Sequence, residues 1–189
     1  MPVTIHIALI HYPVYDRQEK VIATALTTID IHDLARLART YGVDRFYVVT
    51  PLRSQQELAR RLIDHWVTGW GARYNPTRKE ALSLVRMADD LEEVLTGIEQ
   101  EEGRRAKTVA TAARRYAKAH PYGEMAELIR KSGDEPYLIL FGTGWGLTRE
   151  MVEKSNYVLE PIEEKGYNHL SVRTAAGIIL DRLLGGEVR

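Results

Sequence analysis

Residues 136–186 read PYLILFGTGWGLTREMVEKSNYVLEPIEEKGYNHLSVRTAAGIILDRLLGG. The segment opens with an apolar run at 137–141, whose length and composition are typical of a strand buried on both faces of a sheet. The run passes directly into a turn at 142–147 that holds Gly142, Gly144 and Gly146. Glycines allow backbone to approach a ligand closely. The pattern therefore predicts a ligand-binding turn at the end of a buried strand.

The second half of this segment predicts a strand, a loop and a helix. Residues 157–159 form a short apolar strand, and a polar loop follows at 163–169. Apolar residues then recur with helical spacing over 172–184, with Ser171 or Asn168 as candidate N-cap and two glycines at the end. Open α/β sheets bind ligands at the carboxyl ends of their strands. We expect the loops of this segment to meet at one such site.

The remainder of the chain alternates strand and helix patterns. This alternation predicts an α/β fold with a mostly parallel sheet flanked by helices, and one domain over residues 1–189. Ser54 and Asp90 are predicted N-caps, and residues 14–28 fit either a short strand or an ordered loop. Strands are predicted at 3–10, 45–50, 80–87 and 104–111, helices at 30–40, 54–66, 90–101 and 121–132, and a loop at 70–76.

Composition excludes several functional classes. Lysine and arginine total 26, as do aspartate and glutamate, which argues against a histone-like or tail-driven nucleic-acid binder but allows a local basic face. The absence of cysteine excludes disulfides, thiolate metal sites and cysteine nucleophiles. The histidine spacing does not suggest a metal site, and His6 is expected to be a hydrogen-bonded core residue. The apolar runs are too short to span a bilayer, so we expect a cytoplasmic protein without membrane contact.

Taken in order, three sequence blocks resemble the C-terminal motifs of the SPOUT RNA methyltransferases. They are FGTGWGLT at 141–148, LEPI at 159–162 and NHLSVRTAAGIILDRL at 168–183. Residues 30–36 and 40–44 are similar to the first motif of that family. The resemblance implies a C-terminal deep trefoil knot that holds S-adenosylmethionine (SAM), with S-adenosylhomocysteine as product. It also implies a homodimer whose active sites are shared between subunits, and methylation of a structured RNA such as rRNA or tRNA.

The chain departs from the ribose 2′-O-methylating branch of this family at three places. It has Asp30 where that branch has Asn, no acidic residue after Gly142, and Ser171-Val172-Arg173 in place of Asn-Val-Ser. Base methylation and ribose methylation therefore both remain open. A second class of function is a non-catalytic RNA-binding or regulatory dimer that retains the SAM pocket.

The resemblance assigns cofactor binding to the turn and to the two loops that follow it. There, glycines would let backbone approach SAM, and amides and carbonyls would read the adenine edge. The alternative is a tight strand-to-helix turn that binds no ligand. Trp145 is a candidate shield for the methyl donor. The predicted cofactor-binding residues are Phe141, Gly142, Thr143, Gly144, Gly146, Leu159, Glu160, Pro161, Ile162, Asn168, His169, Leu170 and Ser171.

Three charged residues are candidates for catalysis. Asp30 is suited to orient or deprotonate the acceptor, and Arg36 to bind a phosphate or steady developing charge. Arg173 is suited to bind an RNA phosphate or the cofactor carboxylate. The alternatives are an N-cap for Asp30 and solvated surface arginines for the other two.

Basic residues interleaved with tyrosines suggest a track for RNA. Such residues can follow a phosphate backbone and stack on bases, although charge runs are more often solvated faces. The members of this predicted track are Arg73, Tyr74, Arg78, Lys79, Arg104, Arg105, Lys107, Arg114, Arg115, Tyr116 and Lys118.

Overall fold

The structure, a computed structural model, describes residues 3–162 and 166–186. Strands and helices alternate along most of this length. The strands are β1 (Ile5–Ile10), β2 (Val14–Tyr15), β3 (Val21–Ile22), β4 (Arg45–Val49), β5 (Val85–Ala88), β6 (Lys107–Ala110), β7 (Ala119–His120), β8 (Tyr137–Gly142) and β9 (Tyr157–Leu159). The helices are α1 (Thr28–Thr40), α2 (Arg53–Val67), α3 (Trp70–Tyr74), α4 (Pro76–Leu82), α5 (Leu91–Glu102), α6 (Tyr122–Lys131), α7 (Arg149–Lys154) and α8 (Val172–Leu184).

Seven parallel strands form the main sheet in the order β5-β4-β1-β8-β6-β9-β7. β8 lies between β1 and β6, with Ile139 opposite both Ile7 and Val109. β9 likewise lies between β6 and β7. The predicted α/β fold with a mostly parallel sheet is confirmed. The carboxyl ends of β1, β8 and β6 meet at one edge, where the strand order reverses and open sheets form their binding crevices.

Helices cover both faces of the sheet. One core cluster includes buried residues of α1, α2, α4, α6 and α8, and the other includes buried residues of α5 and α7. All six residues of β1 are buried, as are the first five of β8. Burial on both faces explains why these strands are apolar throughout instead of alternating with polar residues.

Two of the predicted elements are wrong. Residues 70–74, expected in a loop, form α3, and the strand expected at 80–87 is replaced by α4 followed by the shorter β5. Pro76 occupies the first turn of α4, and the Asn75 side chain accepts a hydrogen bond from the Arg78 amide at 3.0 Å. This proline and cap favour a helix start, and burial of Leu82 against the core then stabilises it.

The predicted N-caps have mixed outcomes. Asp90 is confirmed, because its side chain accepts from the Glu93 amide at 2.8 Å. Ser54 is wrong, since α2 begins one residue earlier, after Leu52, without a side-chain cap. Asp30 is not a cap either: Thr27 precedes α1, and its hydroxyl accepts from the Asp30 amide and donates to the Asp30 carboxylate at 2.6 Å. Asp30 therefore lies in the first turn of α1.

Residues 14–28, for which strand and loop were both open, contain the antiparallel pair β2-β3 and an ordered loop that leads into α1. Of the polar loop predicted at 163–169, residues 163–165 lie outside the described residues. The hydrogen bonds expected for His6 are absent: neither ring nitrogen has a partner within the described chain, although the side chain is buried. No helix in the described part of the chain is long and apolar enough to cross a membrane.

Candidate active site

A cleft of about 970 Å³ opens at the carboxyl ends of β8 and β6. Its walls are the glycine-rich turn after β8, the loop after β6 and the segment that enters α8. The loop between β2 and α1 completes it, together with Asp30 from the first turn of α1. The cleft therefore lies at the edge of the sheet where the carboxyl ends of the buried strands meet, as the sequence predicts.

The turn after β8 requires glycine at two positions. A Cβ atom on Gly142 would come within 2.5 Å of the Leu147 amide nitrogen. Gly144 has a φ of +59°, and a Cβ there would lie 2.8 Å from the Tyr15 carbonyl oxygen. Both contacts are shorter than real Cβ atoms make. The packing of the turn explains these glycines on its own, whether or not backbone also approaches a ligand.

The segment after β1 braces this turn. The Thr143 hydroxyl lies 2.5 Å from the Thr24 hydroxyl, which is also 2.9 Å from Nδ1 of His11. The Trp145 amide donates to the Tyr15 carbonyl at 2.8 Å, and the Tyr15 amide donates to the turn in return. Burial lowers the pKa of His11 from 6.5 to about 4, so its ring is neutral at physiological pH. These bonds hold one wall of the cleft in place.

Three contacts join the loops at the rim of the cleft. The Asn168 side-chain amide donates to the Ala113 carbonyl at 3.2 Å. Arg114 forms an ion pair of 2.6 Å with Glu19. The Trp145 ring, 52% exposed, meets the His169 ring edge-to-face with centroids 5.5 Å apart. The rim thus consists of aromatic and charged side chains from distant parts of the chain.

Two of the three candidate catalytic residues lie together. Asp30 lines the cleft, and its carboxylate lies 3.3 Å from the guanidinium of Arg173 on α8. Arg173 also lies 3.6 Å from the carboxylate of Asp33, so two carboxylates surround its charge. Arg36 is not brought to this cleft, because it lines a separate, smaller cleft between α1 and α4.

Most of the predicted cofactor-binding residues line the large cleft. Leu159, Glu160 and Pro161 do not: Leu159 and Pro161 are buried, and the Glu160 amide bonds to the His120 carbonyl. The predicted residues that do line it are Phe141, Gly142, Thr143, Gly144, Gly146, Ile162, Asn168, His169, Leu170 and Ser171.

One wall of the cleft, the loop after β6, was not predicted from the sequence to contact the cofactor. The loop after β6, at 111–116, could have been recognised because it follows a buried strand of the same parallel sheet. The segment at 15–25 carries no comparable signal, since it reaches the cleft only through long-range packing. The lining residues outside the predicted cofactor-binding and catalytic sets are Tyr15, Glu19, Thr24, Ala25, Thr111, Ala112, Ala113, Arg114, Tyr116, Trp145, Leu147, Arg149, Gly166, Val172, Ala175 and Ile179.

The basic residues predicted to form one RNA track are divided. Arg104, Arg105 and Lys107 lie at the amino end of β6 and form ion pairs with nearby acidic residues. Residues 114–118 follow the carboxyl end of the same strand, at the edge that holds the cleft. Residues 73–79 lie on α3 and α4. The first and second groups therefore lie at opposite ends of β6 and do not form one run along the chain.

The chain matches one family model and is similar in sequence to several known proteins. A family model described as "SAM-dependent RNA methyltransferase" matches residues 4–185. An uncharacterized protein of Aquifex aeolicus is 45% identical over 180 residues, covering 95% of this chain and 87% of that protein. A "tRNA (guanine-N(1)-)-methyltransferase" of Oleidesulfovibrio alaskensis is 42% identical over 182 residues, or 96% of this chain. The chain spans only 42% of that relative's length.

Solved structures share the fold at lower identity. A probable methylase family protein from Haemophilus influenzae superposes with a TM-score of 0.62 at 19% identity, covering 95% of this chain and 64% of that one. The TrmH/SpoU tRNA modifying enzyme of Aquifex aeolicus gives a TM-score of 0.55 at 14% identity, covering 96% and 73%. These similarities concern the arrangement of strands and helices.

Proposed function

Because this chain belongs to the family of SAM-dependent RNA methyltransferases, we propose that its cleft binds SAM and that the protein methylates a structured RNA. The observation that carries the proposal is the position of Asp30, which lies in the same cleft as the glycine-rich turn. A tRNA is the favoured substrate, since a relative 42% identical to this chain is named a tRNA methyltransferase.

The cleft suits a ligand of this kind. A volume of about 970 Å³ is within the usual range for small-molecule and cofactor sites. Apolar side chains such as Ile162, Val172 and Ile179 offer a surface for an adenine ring, and Arg149 brings positive charge for a carboxylate. In the described part of the chain, no three His, Asp or Glu side chains are grouped as metal ligands would be.

In the proposed reaction, the protein has to align the methyl donor with the acceptor atom of the RNA and to remove the proton of that acceptor. SAM, when bound, supplies an electrophilic methyl group. Asp30 accepts the proton of the acceptor nitrogen or hydroxyl, or orients that group. Arg173 holds the Asp30 carboxylate in position through their 3.3 Å contact. Trp145 and His169 narrow the mouth of the cleft and limit the access of water.

The proposal includes a deep trefoil knot within a single domain over residues 1–189. It is supported by the strand order, since β8 and β9 are each inserted between strands that precede them in the chain. A late segment placed between earlier strands is the arrangement that a C-terminal knot requires. Knots are otherwise rare in proteins.

We also propose a homodimer with shared active sites. Arg36 supports it, since that residue was expected at the catalytic centre yet lies outside the cleft of its own chain. In a homodimer, the Arg36 side chain of one subunit can serve the cleft of the other.

A methyl-transfer assay tests the proposed function. The purified protein is incubated with tritiated SAM and unfractionated bacterial tRNA, and label in the RNA is counted; nucleoside mass spectrometry then distinguishes a methylated base from a methylated ribose. We expect label in RNA with the wild-type protein and a large loss with Asp30→Asn. RNA retention without label would instead support the non-catalytic RNA-binding dimer.

A further inference from the structure

Helix α3, which contributes no residue to the lining of the large cleft, carries an exposed pair of stacked aromatic rings. Trp70 and Tyr74, one turn apart on α3, have ring centroids 5.0 Å apart and an interplanar angle of 18°. They are 67% and 70% exposed. A flat apolar surface left in water is unfavourable, and nucleobases stack readily on such surfaces. The pair therefore has the form of a platform for a base.

A basic cleft of about 310 Å³ lies beside this platform, between α1 and α4. Arg36, Arg39 and Arg78 line it, with Glu80 as the one acidic side chain in its lining. Glu80 is bonded to Arg39. The Arg36 carbonyl accepts from the Thr40 hydroxyl, but the Arg36 guanidinium has no hydrogen bond or ion pair among the described residues. Two guanidinium groups are thus left without a carboxylate partner, which suits a phosphate.

Trp66 connects the platform to the cleft. The Arg78 guanidinium lies over its ring, 4.3 Å from the centroid. Gly71 of α3 packs on the same ring so closely that a Cβ there would come within 2.7 Å of it. His32 and His65 also meet this ring edge-to-face. Packing on a shared ring fixes α3, which carries the stacked pair, relative to the Arg78 guanidinium.

We infer that the surface formed by Trp70, Tyr74, Arg36 and Arg78, here called the α3–α4 surface, is a second RNA contact outside the active-site cleft. A base of an unpaired nucleotide stacks on the aromatic pair, and a neighbouring phosphate is bound by the arginines. The inference rests on the proposed function, because it takes RNA as the substrate. A protein partner could bind to the stacked aromatic pair without any charge beside it. The arginines that lack a carboxylate partner favour RNA instead, because RNA carries a negative phosphate at each nucleotide.

The position of the surface fits a substrate that also reaches the active site. Arg36 follows Asp30 by six residues on α1, which is about 9 Å along the helix axis and on a different face. A few nucleotides of RNA can span that separation. The α3–α4 surface would then hold the substrate while Asp30 addresses the nucleotide to be methylated.

Fluorescence anisotropy with end-labelled unfractionated tRNA, at a series of KCl concentrations, tests the inference. We expect Trp70→Ala and Tyr74→Ala each to raise Kd by roughly five- to a hundredfold, the range for loss of one stacked base. Trp70→Phe, which retains a ring, should bind within about threefold of the wild type. Arg78→Ala should lower the slope of log Kd against log salt by about one.

Two controls make the result specific. Arg104→Ala removes an exposed arginine that is paired with Asp134 and lies outside the α3–α4 surface, and it should leave Kd within about twofold. Calorimetric affinity for S-adenosylhomocysteine should be the same in the variants of Trp70, Tyr74, Arg78 and Arg104, since none of these four residues lines the large cleft.

Three outcomes would overturn the inference. Unchanged Kd in both alanine variants, with a wild type that binds and methylates RNA, would refute it alone and leave the proposed function standing. A shift in particle mass by light scattering, with unchanged RNA affinity, would identify the surface as a contact between copies of this chain. A wild-type protein that neither binds nor methylates RNA would refute both the inference and the proposed function.

Discussion

The guanidinium of Arg173 lies 3.3 Å from the carboxylate of Asp30 and joins the last helix to the first beside the cleft. The Asp30 side chain is only 14% exposed, whereas that of Arg173 is 33% exposed. Thr27 donates a hydrogen bond to the same carboxylate at 2.6 Å. Asp30 is therefore fixed in one orientation, as a group that receives a proton from a bound substrate has to be.

Replacement of Asp30 by Asn should lower turnover at least about a hundredfold, because an amide cannot accept the proton. Affinity for S-adenosylhomocysteine should not change. The free energy of unfolding should fall by no more than about 1 kcal/mol, since Asn retains the hydrogen bond to Thr27 and loses a single, partly exposed ion pair. Single-turnover kinetics, calorimetry and urea unfolding measure the three quantities.

Asp33→Asn is the matched control for that variant. Asp33 also contacts Arg173, at 3.6 Å, but it does not line the cleft. Equal losses of turnover in the two variants would show that Asp30 acts only through the shared arginine.

Replacement of Gly142 by Ala should lower the free energy of unfolding by about 1–3 kcal/mol, since the added methyl group meets backbone at 2.5 Å. Gly97→Ala is the matched control. Gly97 lies within α5 with open space around it, so alanine there should stabilise the protein by up to about 1 kcal/mol. Thermal unfolding of both variants checks the prediction, and a Gly142→Ala protein as stable as wild type would contradict the geometry of the turn.

Acid should destabilise the fold through two buried histidines. Burial lowers the pKa of His6 and of His11 from 6.5 to about 4, so the unfolded chain binds more protons between those values. The free energy of unfolding should therefore fall as pH drops from about 6.5 to about 4, by at most about 1.4 kcal/mol per pH unit for each histidine. Urea unfolding at several pH values measures this slope.

His6→Leu should flatten that dependence, because it removes a ring whose nitrogens have no partner among the described residues. His169→Asn is the control, because His169 is exposed. The pH dependence of its free energy of unfolding should match that of the wild type. The account fails here if His6→Leu and wild type lose stability in parallel on acidification.

Local patterns were sufficient to predict the sheet, the turn and α8. The apolar strands β1 and β8, the spacing of 172–184 and the Ser171 cap each depend on neighbouring residues. The strand predicted from residue 80 is wrong over 80–82, because a short segment with few apolar residues fits a strand as well as a helix. There, the tertiary burial of Leu82 favours the helix.

Long-range contacts explain what could not be predicted about the site. Thr24 and Thr143 bond across 119 positions, and no pattern in either segment reveals that pairing. Which of the two residues, Asp30 or Arg36, faces the large cleft depends on how α1 is rotated against α4 and α8. The division of the basic track, in contrast, could have been predicted, because β6 lies between its two halves.

Calorimetric titration of the purified protein with SAM, and separately with S-adenosylhomocysteine, tests the central claim most directly. The account predicts saturable binding of both, near one ligand per chain, with Kd on the order of micromolar. Absence of binding heat for both ligands at several temperatures, with the protein folded by circular dichroism, would contradict the assignment of the cleft as a SAM site.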